Sequence, residues 1–384
     1  MIISLYILTL ILLGIFSYGF VDLNLHISTS TLFLTFQKPL ESLVFQNRLV
    51  SGSIFLILLS VLFYSYLYIL KNCAVFFVEW KKIFIYLLLI SGLLVFSFPA
   101  FSYDIFNYIA TAKVTYTHRE NPYIVMPIEI SNDPNLAFTR ASNKVALYGP
   151  TWIMLTWLPH TMGMGNIWQT IIAFKLMNVC WYLGFCFIIW RVTKNIQNVV
   201  FFALNPLVII ETLISAHNDI VMMAFACLGI LLFSKKRFIS WFGGLLFLLL
   251  SVFVKGSTLI LFPLLFLKRF KQDQIFFIAT ILLFGIFIII APLREELYPW
   301  YAMWIISTAA FMPYKTYPYI WQFIIVFSLG LELRHLPYIA MGYYGGLGPI
   351  FRIALTCIPV VAWLLWTVYA KIHVITKYIV TLKH

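Results

Sequence analysis

Charged side chains are scarce in this sequence. Only 10% of its 384 residues are Asp, Glu, Lys or Arg, and 62% are hydrophobic, whereas soluble domains carry about 25% charged residues. A soluble domain of this composition would expose a large apolar surface to water. Apolar stretches of about 17 to 25 residues, the length that crosses a bilayer core, recur along the chain. The sequence therefore predicts an all-α polytopic membrane protein, and it lacks the alternating ten-residue segments of a β-barrel.

Cysteine gives no sign of a metal centre or a disulfide framework. The five cysteines lie singly in or beside apolar stretches, and no two of them stand at metal-ligand spacing. We expect all five to pack in the interior: Cys73, Cys180, Cys186, Cys227 and Cys357. The chain also shows no internal repeat and no low-complexity linker, so residues 1–384 are predicted to form one transmembrane domain.

Acidic residues are half as numerous as basic ones, 13 against 26, which gives a net charge of +13. This excess does not indicate a nucleic-acid partner, because the basic residues gather in short loops between apolar stretches. Five such segments hold 14 of the 26 Lys and Arg and only two acids: 71–82, 191–198, 234–237, 268–274 and the residues from Lys371 onward. By the positive-inside rule they face the cytoplasm, and the expected location is the cell membrane.

Counting from those loops predicts about 11 to 13 membrane crossings. Residues 102–148 then form one large external loop. The apolar stretch 148–166 is short and contains Pro159, so we expect a half-span or an interfacial helix there, with a full crossing as the alternative. Residues 238–267 are too long for one simple span. They predict a tight pair of short helices with Lys255 at the external turn.

Ionisable residues beside apolar stretches are the informative ones, because each is costly in a membrane. In the predicted topology, four separate segments bring such residues to the external face. We predict that these segments share one polar cavity at the outer leaflet: Asp104, the stretch with Glu211, His217 and Asp219, Lys255, and the stretch with Arg294, Glu295 and Glu296.

Structural interpretations compete for most of these positions. Residues 294–296 fit a solvated loop, and the aromatic residues of 298–304 fit an interfacial belt. Lys255 could extend its ammonium group to the interface with no further role. Glu211 and His217 could serve only as hydrogen-bond partners of neighbouring helices. Asp104 and Asp219 are harder to explain in this way, because neither has a basic residue three or four positions away.

Residues 104–117 are predicted to form an amphipathic helix that lies on the membrane. In a helix, Asp104, Asn107, Tyr108 and Thr111 share one face, and that face would look into the cavity. A carboxylate there can take a proton from an acceptor hydroxyl, and a lysine can offset charge on a leaving phosphate. This combination favours transfer from a phosphorylated lipid.

Six motifs carry a resemblance to a known group of enzymes. The chain resembles the GT-C superfamily of integral-membrane glycosyltransferases, and within it the bacterial and archaeal mannosyltransferases that use polyprenyl-phosphate-mannose. The motifs follow the family's order across about residues 100 to 305: "YDIFNYIATAKV", "ENPY", "ALYGPTW", "NPLVIIETLISAHND", "VKGSTLILFPLL" and "YPWYAMW". The first and last 80 residues or so match only as membrane spans.

The resemblance implies roles for individual residues. Asp104, which opens the large external loop, would be the catalytic base, and Lys255 would contact the phosphate of the lipid donor. The stretches 121–123 and 148–150 would line the cavity. The residues implied to bind the sugar or the acceptor are Tyr108, Asn121, Tyr123, Tyr148, Glu211, His217, Asn218, Asp219, Trp300 and Tyr301.

The implied reaction inverts the anomeric centre, so a β-linked donor gives an α-linked product. Relatives with a metal requirement carry a second acid close to the loop aspartate, but Asp104 has only Tyr103, Ile105 and Phe106 beside it. We therefore expect no metal ion and no cofactor beyond the lipid-phosphate sugar. The expected partners are that donor, a glycan or glycolipid acceptor and membrane lipid. The alternative function is a transporter or flippase, and the hexose and the acceptor stay open.

Overall fold

A computed structural model describes most of the chain. It covers residues 1–21, 28, 30–130, 133–235, 237–267, 270–293, 296–342 and 345–381, without the side chains of 134, 137, 292 and 373–381. All regular secondary structure in these ranges is helical. The all-α prediction is therefore confirmed.

Seventeen α-helices make up the described chain. They are α1 Ile2–Ser17, α2 Thr31–Glu41, α3 Arg48–Lys71, α4 Cys73–Phe76, α5 Trp80–Leu94, α6 Asp104–Ala112, α7 Pro150–Met162, α8 Ile167–Thr193, α9 Ile196–Ala203, α10 Pro206–Ile209, α11 Asp219–Phe233, α12 Phe238–Val252, α13 Gln272–Leu293, α14 Ala302–Ala309, α15 Pro318–Leu333, α16 His335–Met341 and α17 Gly348–Thr381. Short 3₁₀ and π segments join them, including the π turns Lys113–Thr117 and Ile210–Ile214 and the 3₁₀ helix Gly256–Phe266.

Six helical stretches of the described chain are long and apolar enough to cross a membrane. They are Ile2–Phe20, Arg48–Lys71, Ile167–Thr193, Gln272–Ala291, Pro318–Met341 and Gly348–Ile372. The bent pair formed by α9 with Pro206–Ile214 makes a seventh if it counts as one span. The chain is an integral membrane protein. Helices of spanning length are fewer than the 11 to 13 expected, because several apolar stretches form shorter, broken helices.

Residues 238–267 form a pair of short helices, as predicted. The chain breaks after α12, and Lys255 precedes the 3₁₀ helix Gly256–Phe266. Ser251 in α12 ties the pair to the core, because its hydroxyl lies 2.8 Å from the carbonyl oxygen of Met222 and 2.9 Å from the hydroxyl of Thr258. Lys255 is therefore held at the turn.

Helix α7 matches the predicted half-span. Its 13 residues, Pro150–Met162, extend about 20 Å at 1.5 Å per residue. A bilayer core is about 30 Å thick, so α7 is too short to cross it.

Helix α6 does not lie on the membrane surface with one face exposed, and that part of the prediction is wrong. Every residue from Ile105 to Ala112 is buried, and the helix continues as a π turn to Thr117. The apolar side chains that suggested a lipid contact instead pack inside the protein. Asp104, at the first position of α6, keeps a partly exposed side chain.

The broken helices α9, α10 and α11 form the buried centre of the molecule. Every residue from 198 to 227 is buried. The chain bends by 58° between α9 and the stretch 206–214, where Asn205 accepts a hydrogen bond from the Leu207 N–H at 3.0 Å and Pro206 starts the next turn. Non-helical backbone is tolerated at membrane depth only where protein covers it or a cavity borders it. The bend therefore indicates that a functional site lies close to residues 205–214.

Lys175 of α8 fixes the chain that leads from α5 to α6. Its ammonium group donates to the carbonyl oxygens of Leu94 at 2.8 Å and Ser97 at 2.5 Å. The Phe98 N–H donates to the Ser17 hydroxyl at 2.9 Å. The first bond satisfies the carbonyl group at the end of α5, and the other two fix the chain that follows α5 on its way to Asp104.

Candidate active site

A cavity of about 470 Å³ opens beside the start of α6. Its wall comes from distant parts of the chain: the stretch 100–107, residues of the loop up to Tyr148, Lys255, the stretch 296–301, the α15–α16 junction and Arg352 of α17. The volume is in the range of small-ligand sites. Asp104, Lys255 and Glu296 thus meet at one cavity, which confirms the predicted convergence for those three segments. Arg294 and Glu295 lie outside the described residues.

Asp104 presents a carboxylate to this cavity. Its side chain is 26% exposed, and its Oδ1 accepts a hydrogen bond of 3.4 Å from Nδ2 of Asn107, one turn along α6. Its Oδ2 lies 3.6 Å from Nδ1 of His217. The backbone N–H of Asp104 donates to the Ser102 hydroxyl at 3.2 Å. The Asp104 carboxylate is therefore held in position by Asn107 and His217 and is accessible from the cavity.

His217 joins Asp104 to a second, fully buried carboxylate. Its Nε2 lies 3.1 Å from Oε2 of Glu211, and its ring stacks on Trp300 with centroids 4.1 Å apart. The preceding residue, Ala216, has a φ of 60°, which is uncommon for a residue other than glycine. The series Asp104, His217 and Glu211 runs from the cavity into the core.

Asp219 is held by donors on two sides. Nζ of Lys255 lies 3.1 and 3.0 Å from its two carboxylate oxygens, and the indole N–H of Trp304 donates to its Oδ1 at 2.6 Å. The Asp219 side chain is 0% exposed. It is therefore unavailable as a base for a hydroxyl in the cavity, in contrast to Asp104.

Lys255 keeps its charge in this pair. Burial favours the neutral amine. This effect is outweighed by the charge attraction to Asp219 and Tyr301 and by the hydrogen bond to Asp219, so the pKa of Lys255 lies above its ordinary value. The ammonium group also lies 5.1 Å from the centre of the Tyr301 ring. Lys255 lines the cavity as a cation that is already partly balanced.

Positive charge dominates the lining of the cavity. The cationic side chains are Arg140, Lys144, Lys255, Arg334 and Arg352, and the carboxylates are Asp104 and Glu296. Glu296 lies 2.9 Å from Nη2 of Arg334 and 2.8 Å from Nη1 of Arg352. A cleft of one sign with low-dielectric walls attracts ligands of the opposite sign. The arrangement fits an anionic ligand such as a phosphate.

Glu211, Glu332 and His335 form a second cluster behind the cavity. One ligand atom from each residue lies within 4.8 Å of the others. His335 lines the cavity, and its Nε2 is 3.6 Å from Oε1 of Glu211. Both glutamate side chains are fully buried.

Five of the sequence-predicted residues line the cavity. They are Asp104, Tyr148, Lys255, Trp300 and Tyr301. Five others lie buried behind it: Tyr108, Glu211, His217, Asn218 and Asp219. The second group does not contact the cavity directly, so the expectation that they bind sugar or acceptor hydroxyls is corrected to a supporting position. Burial in the centre of the molecule is the reason.

Tyr108 shows what such support consists of. Its hydroxyl oxygen accepts a hydrogen bond of 3.3 Å from the N–H of Asn218, and its ring meets Tyr148 edge-on at 4.8 Å. Burial raises the pKa of the Tyr108 hydroxyl well above its ordinary value. The side chain therefore stays neutral and connects α6 to the start of α11.

Asn121 and Tyr123 do not line the cavity, which corrects the expectation for the stretch 121–123. The side-chain oxygen of Asn121 accepts the Tyr123 N–H at 3.0 Å, and the Tyr123 hydroxyl donates to the carbonyl oxygen of Tyr148 at 3.0 Å. Their polar groups brace the loop between α6 and α7. They position Tyr148, which does reach the cavity.

The charged residues of the cavity and the cluster that the sequence did not single out are Arg140, Lys144, Glu332, Arg334, His335 and Arg352. The last four lie in the last third of the chain, beyond the motifs that carry the resemblance. A signal was nevertheless present, because charged residues interrupt otherwise apolar helices there.

Residues 5–270 match the sequence family described as alpha-(1->6)-mannopyranosyltransferase, N-terminal domain. The match covers well over half of the chain. The chain belongs to this mannopyranosyltransferase family. The resemblance to membrane mannosyltransferases is thereby confirmed at the level of the family. Asp104, His217, Asp219 and Lys255 lie inside the matched region.

Two curated members of the mannopyranosyltransferase family are similar to part of the chain. Alpha-(1->6)-mannopyranosyltransferase A of Mycobacterium tuberculosis is 25% identical over 184 residues, 45% of this chain and 34% of that protein. The protein of the same name from Corynebacterium glutamicum is 23% identical over 186 residues, 44% of this chain and 35% of that protein. The similarity thus spans about a third of these relatives. No solved structure matches the chain.

Proposed function

We propose that this protein is an inverting α-mannosyltransferase. It moves mannose from a polyprenyl-phosphate carrier to a hydroxyl of a glycan or glycolipid at the outer face of the cell membrane. The observation that carries the proposal is a partly exposed carboxylate, Asp104, on the wall of a cavity with mostly cationic charge. Membership of the mannopyranosyltransferase family supports mannose as the sugar.

The position of the cations supports a lipid-anchored donor. Arg334 lies within the apolar stretch Pro318–Met341, and Arg352 lies near the start of Gly348–Ile372. Charged groups inside such stretches are costly unless they face a cavity or a partner. A phosphate attached to a polyprenyl chain is held at the membrane, where such cations can meet it, whereas a water-soluble nucleotide sugar does not need to be there.

In the proposed reaction, Asp104 accepts the proton of the acceptor hydroxyl. The hydroxyl oxygen attacks the anomeric carbon from the face opposite the phosphate, so a new C–O bond forms as the bond to the phosphate oxygen breaks. The polyprenyl phosphate leaves with the bonding electrons. Lys255, Arg334 and Arg352 offset its charge. Asn107 and His217 hold the Asp104 carboxylate in position.

Membership of the mannopyranosyltransferase family favours a transferase. The alternative function, a transporter or flippase, also agrees with the composition. The decisive experiment supplies the purified protein with β-linked polyprenyl-phosphate-[¹⁴C]mannose and an oligomannoside, and determines the anomeric configuration of the product by NMR. We expect a new α-linked mannose. Transfer only from a nucleotide-mannose donor, or a β-linked product, contradicts the proposal.

A further inference from the structure

We propose that Glu211, Glu332 and His335 bind a divalent transition-metal cation, with zinc and manganese as the fitting ions. The three residues come from the π turn Ile210–Ile214, the end of α15 and the start of α16. Glu211 and His335 stand 124 residues apart, so the sequence alone does not bring the three residues together. A metal ion here would differ from the expectation, made from the sequence, that the chain holds none.

The donor atoms of these side chains converge on one small volume. One ligand atom from each residue lies within 4.8 Å of the other two, and the Glu211 Oε1 to His335 Nε2 separation is 3.6 Å. Ligands bound to one ion at about 2.0 to 2.2 Å are separated by about 3 to 4 Å. Small side-chain movements are enough to close the cluster around an ion.

The Glu332 carboxylate has no hydrogen-bond partner within the described residues, and both of its oxygens are buried. The Glu211 carboxylate beside it has only histidine neighbours, with His217 Nε2 at 3.1 Å and His335 Nε2 at 3.6 Å. The Glu332 side chain is 0% exposed, and no cation of the described chain forms an ion pair with it. Two carboxylates buried side by side repel each other, and each costs several kcal/mol to desolvate. A divalent cation between them removes both penalties.

The mixed donor set selects the class of ion. Two carboxylates and one imidazole suit zinc or manganese, whereas magnesium and calcium prefer oxygen ligands alone. His335 lines the cavity and its side chain is 16% exposed, so an ion can enter from that side. The same side offers a coordination position to water or to a ligand in the cavity.

The test measures metal directly. The protein is purified in detergent without chelators, and its zinc and manganese content is measured by plasma mass spectrometry. We expect about one equivalent of one of these ions in the wild type, and less than about a fifth of that in Glu332→Gln and in His335→Gln. Glu296→Gln is the matched control, because Glu296 lines the same cavity but is paired with two arginines. It should retain the metal.

A second readout covers variants that fold poorly. Wild-type protein is stripped with a chelator, and its Tm is followed as zinc or manganese chloride is added. A bound ion should raise the Tm by about 3 °C or more. Absence of both ions after purification, together with an unchanged Tm on adding either, overturns the proposal and assigns a proton to Glu332. Neither measurement uses a sugar donor, so failure here leaves the proposed transferase untouched.

Discussion

Asp104 and Asp219 are both carboxylates in the first turn of a helix, yet their surroundings differ. Asp104 faces the cavity and is steadied by one amide and one imidazole. Asp219 is fully buried and has a lysine and an indole as donors. The difference supports the proposed role of Asp104 in proton transfer and a positioning role for Asp219, which pairs with Lys255 at the cavity wall.

The Asp219–Lys255 pair predicts non-additive effects on stability. Lys255→Met leaves Asp219 buried with only the Trp304 donor, and loss of one partner of a buried ion pair costs about 3 to 5 kcal/mol. Adding Asp219→Asn removes the stranded charge. The free energy of unfolding in detergent should therefore be higher for the double variant than for Lys255→Met alone. Equal or lower stability in the double variant speaks against the pair as the main role of Lys255.

The separate prediction that Lys255 contacts the donor phosphate has its own measurement. Lys255→Met with Asp219→Asn keeps the site neutral and removes one charge-assisted contact, worth about 1.5 to 3 kcal/mol. KM for the lipid donor should rise by about 10-fold or more. An unchanged KM in a folded double variant limits Lys255 to a structural role.

Single site residues could be predicted from the sequence where a charged side chain had no local partner to explain it. Asp104 stood out because an apolar stretch ends there and no basic residue lies one helical turn away. Lys255 stood out because it interrupts the apolar residues 238–267, but its partner Asp219 is 36 positions earlier and could not be recognised from the sequence. Glu332 and His335 were not predicted as site residues, because they form a cluster only with Glu211. Glu211 is distant in the sequence and comes close to them only in the folded chain.

Between elements, the loop before α7 and the turn after α12 are fastened together. The N–H groups of Gly149 and Thr151 donate to the carbonyl oxygens of Val254 and Phe253, at 3.1 and 3.0 Å. A Cβ at Gly149 would lie 2.1 Å from the Phe253 carbonyl oxygen. The glycine is thus required by close approach, and the contact places Tyr148 and Lys255 on one wall.

Gly149→Ala should loosen this contact. Backbone would have to move, which costs about 1 to 3 kcal/mol for overpacking, and both the Tm and the turnover should fall. Gly92→Ala in α5 is the control, because no atom beyond its own helix backbone and chain neighbours lies within 4 Å of its Cβ position and alanine favours a helix. A Gly149→Ala protein as stable and active as Gly92→Ala contradicts the assigned role.

Helix boundaries could be predicted where polar residues or proline mark a break in an apolar stretch. The polar residues of "VKGS" interrupt residues 238–267, and the structure has the break there. The stretch 148–166 forms only the short helix Pro150–Met162, with Pro159 inside it. The placement of α6 was not predictable, since an apolar face packs equally well against lipid or against protein. Helices α7 and α8 pack against α6 and supply the tertiary surroundings that decide its placement.

For the whole molecule, orientation in the membrane stays a prediction from the loop charges. Residues 102–148 should face outside and 234–237 inside. A membrane-impermeant thiol reagent added to intact cells should label Asn143→Cys and spare Ser234→Cys, with the unaltered chain giving the background from its own cysteines. Both positions are exposed, whereas Ser131, in the same external loop, lies outside the described residues. The opposite pattern would place the cavity on the cytoplasmic side.

In the proposed reaction, Asp104 is the general base. Asp104→Asn keeps the size of the side chain and removes the base, which is typically worth about 10² to 10⁴ in rate. Asp133→Asn is the matched control: it is the same change in the same loop, on a carboxylate that pairs with Lys113 at 2.8 Å and does not line the cavity. Both variants are compared with the wild type at equal folded amounts.

The measurement is turnover of labelled polyprenyl-phosphate-mannose under saturating acceptor. We expect turnover to fall by about 10² to 10⁴ for Asp104→Asn, with little change in donor affinity, and to stay near wild type for Asp133→Asn. If Asp104→Asn keeps more than about a tenth of wild-type activity, outside the range for losing a base, Asp104 is not the general base.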